Sequence, residues 1–289
     1  MSKIDARIVS LYNEYIHSTL PRREFMSRLV KITGSAAAAC AVLPLIEPNY
    51  AYGQQVAEDD NKLATGYVTY KGVSGDVKAY MARPKGTGKL PAVLVIHENR
   101  GLNKHIEDVA RRAALAGYLA VAPDGLSSAG GSPADQEAAR DLFARTDPAT
   151  IAGDVIAGVP YLASHRDSTG KVGSVGFCYG GNIALRSAVE AEGLTAAVGF
   201  YGRQLTAEQV VKLRIPVMLH YAGNDERVNA GIPDFRVALD THKVAYSINM
   251  YPGTDHGFHN DSSEARYDKP AAQLAWTRTI QFFDTYLKA

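Results

Sequence analysis

Val172-Gly-Ser-Val-Gly-Phe-Cys178-Tyr-Gly-Gly181 reads as a short apolar strand that turns through Gly-x-Cys-x-Gly into a helix-forming stretch, Asn182-Ile-Ala-Leu-Arg-Ser-Ala-Val189. A strand-to-helix turn of this sharpness lifts its central side chain above the sheet edge, and it closes only when the neighbours carry no bulk. Gly176, Gly180 and Gly181 meet that demand. The layout is that of a nucleophile elbow, with cysteine where serine usually stands. A thiol titrates near ~8.5 when unperturbed, so partial ionisation near neutrality supplies a strong nucleophile, helped by the positive end of the following helix. Taken alone, the segment fits equally well a small buried hydrophobe at a strand end, as free cysteines often are.

The rest of the chain tips that balance. The apolar strand Ile215-Pro-Val-Met-Leu-His-Tyr-Ala222 runs into Gly223-Asn-Asp225-Glu-Arg-Val228, a turn that would hold Asp225 at the carboxyl edge of a parallel sheet. The next strand, Val244 to Tyr251, ends in Pro252-Gly-Thr-Asp-His256-Gly-Phe258, whose glycines permit a tight loop carrying His256 back toward the elbow. Nucleophile, acid and histidine thus follow in the order expected of an α/β-hydrolase site, with Cys178 attacking, His256 as base and Asp225 orienting it. An earlier strand, Pro91 to Ile96, leads into His97-Glu98-Asn99-Arg100-Gly101. This is the loop position that supplies an oxyanion hole with its second donor, so the backbone N–H groups of Asn99 and Tyr179 are the expected pair. Glu98, a carboxylate near the thiol, would tune thiolate formation by repulsion or by accepting the proton.

Together these residues resemble the dienelactone hydrolase family of the α/β-hydrolase fold. The likeness runs from about Gly66 to the C-terminus and rests on Glu98 in its His-Glu-Asn-Arg-Gly loop, Gly-Phe-Cys178-Tyr-Gly-Gly, Asp225 and His256-Gly-Phe. It implies a mostly parallel central sheet with helices on both faces and a Cys178–His256–Asp225 triad with Glu98 controlling the thiol. It further implies a carboxylic ester hydrolase of the carboxymethylenebutenolidase kind, cleaving a small ester or lactone through an acyl-enzyme without a cofactor. The family's type enzymes hold a substrate carboxylate with two arginines, at places that here resemble Gln136 and Asn260. The departure leads to the expectation of a neutral pocket, in which Arg100, Tyr201 and Arg203 are the remaining substrate-contact candidates.

Composition bounds the alternatives. The 289 residues, 46% of them hydrophobic, carry a net charge of +1, which offers little attraction to nucleic acid. Alternating apolar strands and helical stretches favour one α/β domain. Cys40 and Cys178 lie in different contexts and are read as free thiols. No metal centre is expected, because His256-x-x-His259 with His97 or His220 lacks the spacing of a closed site. Nothing in the sequence opposes a homo-oligomer. The reading from another class is a non-catalytic relative that binds a small molecule or a protein; a complete triad speaks against it.

Around the motifs, a hairpin is expected at Thr65 to Tyr70 and Val77 to Arg83, helices at about 134–144 and 149–164, and a closing amphipathic helix from Ala271 to Leu287. That last helix would present Leu274, Ile280, Phe283 and Tyr286 near one face. The Gly/Ser-rich loop 127–133 and the helix after it are expected to wall the pocket. Residues 61–289 form the catalytic domain in this reading, and residues 1–60 form either an export signal or a helical arm. Pro21-Arg22-Arg23-Glu24-Phe25-Met26 resembles a twin-arginine motif ahead of a weakly apolar stretch, which leans toward a periplasmic or secreted protein; an arm would suit a cytoplasmic one. No stable membrane span is expected.

Overall fold

Continuous apolar runs along the chain pair into one eight-stranded sheet in the computed structural model, which describes residues 4–17, 20–50, 53–86 and 88–289. Three helices come first: α1 (Ala6–His17), α2 (Arg22–Thr33) and α3 (Ala36–Ile46). The domain then runs β1 (Leu63–Lys71), β2 (Asp76–Pro84), β3 (Leu90–Ile96), α4 (Lys104–Leu115), β4 (Leu119–Pro123), α5 (Gln136–Arg145), α6 (Pro148–Ile156) and α7 (Gly158–Ser164). It continues through β5 (Ser168–Phe177), α8 (Tyr179–Glu190), β6 (Leu194–Phe200), the single turn α9 (Ala207–Val210) and β7 (Val217–Ala222). The single turn α10 (Glu226–Asn229), α11 (Ile232–Thr241), β8 (Tyr246–Tyr251) and α12 (Lys269–Leu287) complete it.

The strand order is β1-β2-β4-β3-β5-β6-β7-β8. β1 and β2 form the expected antiparallel hairpin, β2 pairs antiparallel with β4, and every pair from β4 across to β8 is parallel. This is the α/β-hydrolase arrangement, with helices covering both faces. All of β4 is buried, as a strand covered on both sides must be. The chain steps from β3 outward to β4, then returns to place β5 on the other side of β3. At such a reversal the carboxyl ends of the two strands leave a crevice between their loops, and a ligand site is expected there.

Two helices depart from the sequence reading. The stretch expected as one helix over 149–164 is two, α6 and α7, meeting at Ala157. α12 buries Ala271, Ala275, Thr279, Phe283 and Leu287, a stripe repeating every four residues, whereas Leu274 and Tyr286 are exposed. Small residues in that stripe let α12 close on the sheet, where Phe283 and Leu287 pack over Gly173.

The three N-terminal helices build a core of their own. Tyr12, Tyr15, Phe25, Leu29, Ala39 and Ile46 are almost wholly inaccessible, and the rings of Tyr15 and Phe25 stack at 4.3 Å. Gly34, at φ 83, ends α2 in the left-handed conformation that glycine adopts without cost. The arm is tied to the domain by polar contacts as well. Asn99 Nδ2 donates to Ile16 O at 2.6 Å, Arg140 to Tyr15 O at 3.1 Å, and Arg22 pairs with Glu137 at 3.1 Å. Among the described residues no single helix is long and apolar enough to cross a membrane; α2 and α3 pass that test only together, and they bend by 109°.

Candidate active site

The elbow forms for the steric reason its sequence suggests. Cys178 sits between β5 and α8 with φ 53 and ψ −112, a conformation that L residues seldom adopt. A side chain on Gly176 would collide with the carbonyl of Gly180, and one on Gly180 would press on the carbonyls of Ile96 and His97. Cys178 also caps the start of α8, so its sulfur stands at the positive end of a twelve-residue helix.

Asp225 and His256 arrive from the ends of β7 and β8. Hydrogen bonds from Gly223 N to Tyr251 O and from Asn224 N to Thr254 O, both 2.9 Å, hold the two loops side by side. His256 Nδ1 lies 2.5 Å from Asp225 Oδ2, and both residues are buried. Nδ1 therefore carries a proton and donates it to the carboxylate, which leaves Nε2 as the ring nitrogen available to the thiol. Burial pushes the His256 pKa down, but the negative charges of Cys178 and Asp225 beside it prevail and carry it up to about 9. Burial likewise pushes Asp225 up, and its bond to His256 outweighs that, so its pKa ends below the ordinary carboxylate value. The Asn99 and Tyr179 N–H groups have no acceptor among the described residues, and both residues line the cleft that opens over Cys178.

That cleft has a volume of about 670 Å³. Ile16, His17 and Leu20 from the arm, Arg140 and Phe143 from α5, and Tyr201, Arg203, Arg227 and His256 from the sheet edge form its walls. Tyr201, at φ 36, is a second non-glycine residue in the left-handed region; its ring lies 4.9 Å from that of His256. Glu98 is buried, accepting from Asn260 Nδ2 at 3.0 Å and from the Tyr201 hydroxyl at 3.4 Å.

Several expectations need correction. Arg100 does not reach the cleft: it is buried, and its guanidinium donates to the Tyr12 hydroxyl at 3.1 Å, in the arm. The pocket is not neutral, because Arg140, Arg203 and Arg227 line it together with Asp141, whose carboxylate lies 3.5 Å from Arg140. Gln136 turns to Pro48 O and Asn260 to Glu98, so neither side chain serves the cleft. Arg140 was discoverable, since it stands one helical turn beyond Gln136 in α5. The helix α5 does wall the cleft, but loop 127–133 instead folds onto Asp124, to which Ser132 N donates at 2.8 Å. His97 and His220, weighed as metal ligands, have both ring nitrogens hydrogen-bonded within the fold.

His17 was missed altogether. The last residue of α1, it brings Nε2 to 3.3 Å from Cys178 Sγ, and its ring lies 4.3 Å from that of His256. Burial, then the neighbouring His256 charge, hold its pKa well below the ordinary value, so the ring is neutral. No local pattern in the sequence could have announced it.

The dienelactone hydrolase family model matches residues 77–287. A Synechocystis protein assigned as a carboxymethylenebutenolidase is 33% identical over 245 residues, covering 78% of this chain and 98% of its own. An Escherichia coli protein assigned as a hydrolase fragment is 50% identical over 113 residues, 38% of this chain and 97% of that one. Among solved structures, a protein from Klebsiella pneumoniae assigned as a dienelactone hydrolase is similar with a TM-score of 0.69 and 29% identity, over 78% of this chain and 99% of its own. With the family model spanning most of the chain and relatives alike along nearly their whole length, the chain belongs to the dienelactone hydrolase family and is a hydrolase of that kind.

Proposed function

We propose that this enzyme hydrolyses small esters or lactones by covalent catalysis at Cys178. The observation that carries the reading is the Asp225–His256 hydrogen bond of 2.5 Å beside a cysteine held in a left-handed elbow. His256 Nε2 takes the thiol proton and the sulfur attacks the substrate carbonyl carbon. The oxyanion accepts hydrogen bonds from Asn99 and Tyr179 N–H. When the tetrahedral adduct collapses, the C–O bond to the leaving group breaks and the imidazolium returns the proton to the departing alkoxide. In the second half, water gives a proton to His256 and its oxygen attacks the thioester. The carboxylic acid leaves, and the thiol is regenerated. Asp225 keeps the ring in the required tautomer and steadies its charged form. Glu98 accepts from Asn260 and from Tyr201, whose ring lies beside that of His256, and acts in this reading through Tyr201 on the site.

Three arginines along the cleft favour a substrate carrying a carboxylate, with Arg140 and Arg203 on different walls to bind it. Residues 1–60 serve, in this reading, as an arm retained over the cleft. A twin-arginine leader would need Arg22 and Arg23 available to a translocase, whereas Arg22 is here ion-paired to Glu47 and Glu137. N-terminal sequencing of the protein from its native cell decides between the arm and an exported, processed form.

The covalent reading is tested by acid-quenching the enzyme with p-nitrophenyl acetate during turnover and weighing the intact protein. An acetyl group mapped to Cys178, absent from Cys178→Ala, is the expected result. Turnover without an adduct, persisting in Cys178→Ala, would remove the cysteine from the mechanism.

A further inference from the structure

Sγ of Cys178 and a ring nitrogen each of His17 and His256 all lie within 4.8 Å of one another. The two histidines are prepared alike. His17 Nδ1 is 2.8 Å from Asn13 O, a carbonyl, so Nδ1 holds the proton and Nε2 presents a lone pair. His256 Nδ1 is committed to Asp225, and its Nε2 has no hydrogen-bond partner among the described residues although the residue is only 3% exposed. Metal-bound histidines are held in this way, the second ring nitrogen donating to a carboxylate or a backbone carbonyl that fixes tautomer and orientation.

We propose that Cys178, His256 and His17 form a site for a zinc-type divalent cation, with the arm contributing the third ligand. One thiolate and two imidazoles suit zinc and exclude magnesium and calcium, which prefer oxygen donors. Typical Zn–N and Zn–S bonds at a tetrahedral angle set the two donors about 3.6 Å apart, and His17 Nε2 stands 3.3 Å from Sγ. All three residues line the cleft. Binding requires the sulfur and both coordinating ring nitrogens to be unprotonated, so protons are released to solvent and affinity rises with pH. His17 lies outside the 77–287 stretch that the family model matches, so the site joins the arm to two residues within that stretch. Metal on Cys178 and His256 also withdraws nucleophile and base, which makes the ion an inhibitor. This last consequence rests on the hydrolytic reading; the binding does not.

The test is a cobalt(II) titration of the full chain, followed by the thiolate-to-cobalt charge-transfer absorption, with zinc as competitor. One ion per chain is expected, with loss of the absorption in Cys178→Ser and zinc affinity lower by at least ~100-fold in His17→Gln. Zinc affinity in His17→Gln within about threefold of wild type, or no charge-transfer band in wild type, overturns the site. Should the substitution disturb the arm, wild-type protein suffices: zinc should shield His17 from diethyl pyrocarbonate, and full carbethoxylation of His17 in the zinc-saturated protein overturns the proposal. His17-dependent binding that leaves ester hydrolysis untouched upholds the site and counts instead against Cys178 as nucleophile.

Discussion

Cys178 and His17 face each other at 3.3 Å, yet different physics puts each of them there. In the α/β domain, Cys178, Asp225 and His256 stand at the carboxyl ends of β5, β7 and β8, so the parallel sheet itself aligns them on one edge. In the arm, His17 is placed by a separate small core around Tyr15, Phe25 and Leu29, docked by a few polar contacts to Asn99, Glu137 and Arg140. The sheet edge lies within the stretch that the family model matches, residues 77–287; the arm lies outside it. The candidate triad thus belongs to the domain, while the arm supplies part of the cleft wall through Ile16, His17 and Leu20.

The sharpest break in that division comes from the elbow. Cys178→Ala should lower ester hydrolysis by on the order of 10⁴-fold or more with circular dichroism unchanged, because among the described residues no other thiol lines the cleft. Substantial activity in that variant would shift the chemistry away from the domain's elbow.

Asp225→Asn should lower kcat by roughly 10³- to 10⁴-fold with little change in KM, since the carboxylate acts on His256 and not on substrate. Its linkage to pH has a definite sign. A histidine whose pKa is raised to about 9 stabilises the fold fully below its ordinary value and loses that contribution as pH climbs through 9. NMR titration should therefore find His256 protonated at neutral pH in wild type and titrating lower in Asp225→Asn; an unmoved titration would separate Asp225 from the ring.

Phe25→Ala probes the other region. Truncating a ring with no exposed surface costs roughly 3–5 kcal/mol, and the loss should be confined to the arm. Amide exchange over residues 6–46 should accelerate while β5 and β6 stay protected. Equal acceleration in both would mean that arm and domain unfold as one unit.

Arg140→Ala should reduce kcat/KM for an anionic ester relative to a neutral one of equal size by about 10- to 100-fold, the worth of a charge-assisted hydrogen bond. Equal losses on both substrates would leave Arg140 a packing residue for Tyr15, whose ring its guanidinium covers at 4.0 Å. The smallest effect is expected from Glu98→Gln, which should displace the pH profile of Cys178 alkylation by iodoacetamide without unfolding the protein. Superimposable profiles would make Glu98 structural.

The elbow was legible because it is a local problem: whether a strand can turn into a helix within three residues depends on the bulk of Gly176 and Gly180, which are adjacent in sequence. Asp225 and His256 were legible because loops at strand ends obey sheet order. Arg100 misled for an instructive reason. Its position at the end of β3 was readable, but the direction of its side chain depended on Tyr12, eighty-eight residues away. α12 misled similarly, since the stripe that buries is decided by what the sheet can accommodate, and Ala271, Ala275 and Thr279 fit closer than Leu274.

By itself, then, the amino-acid sequence determined the parallel sheet, the thiol at its edge and the acid and histidine that follow in order, because periodic burial and turn sterics act over a few residues. Tertiary structure alone decided that three arginines line the cleft, that Arg100 is withdrawn from it, and that His17 meets Cys178. Those outcomes depend on the packing of segments a hundred or more residues apart in several cases, where side-chain direction is set by partners that no local pattern encodes.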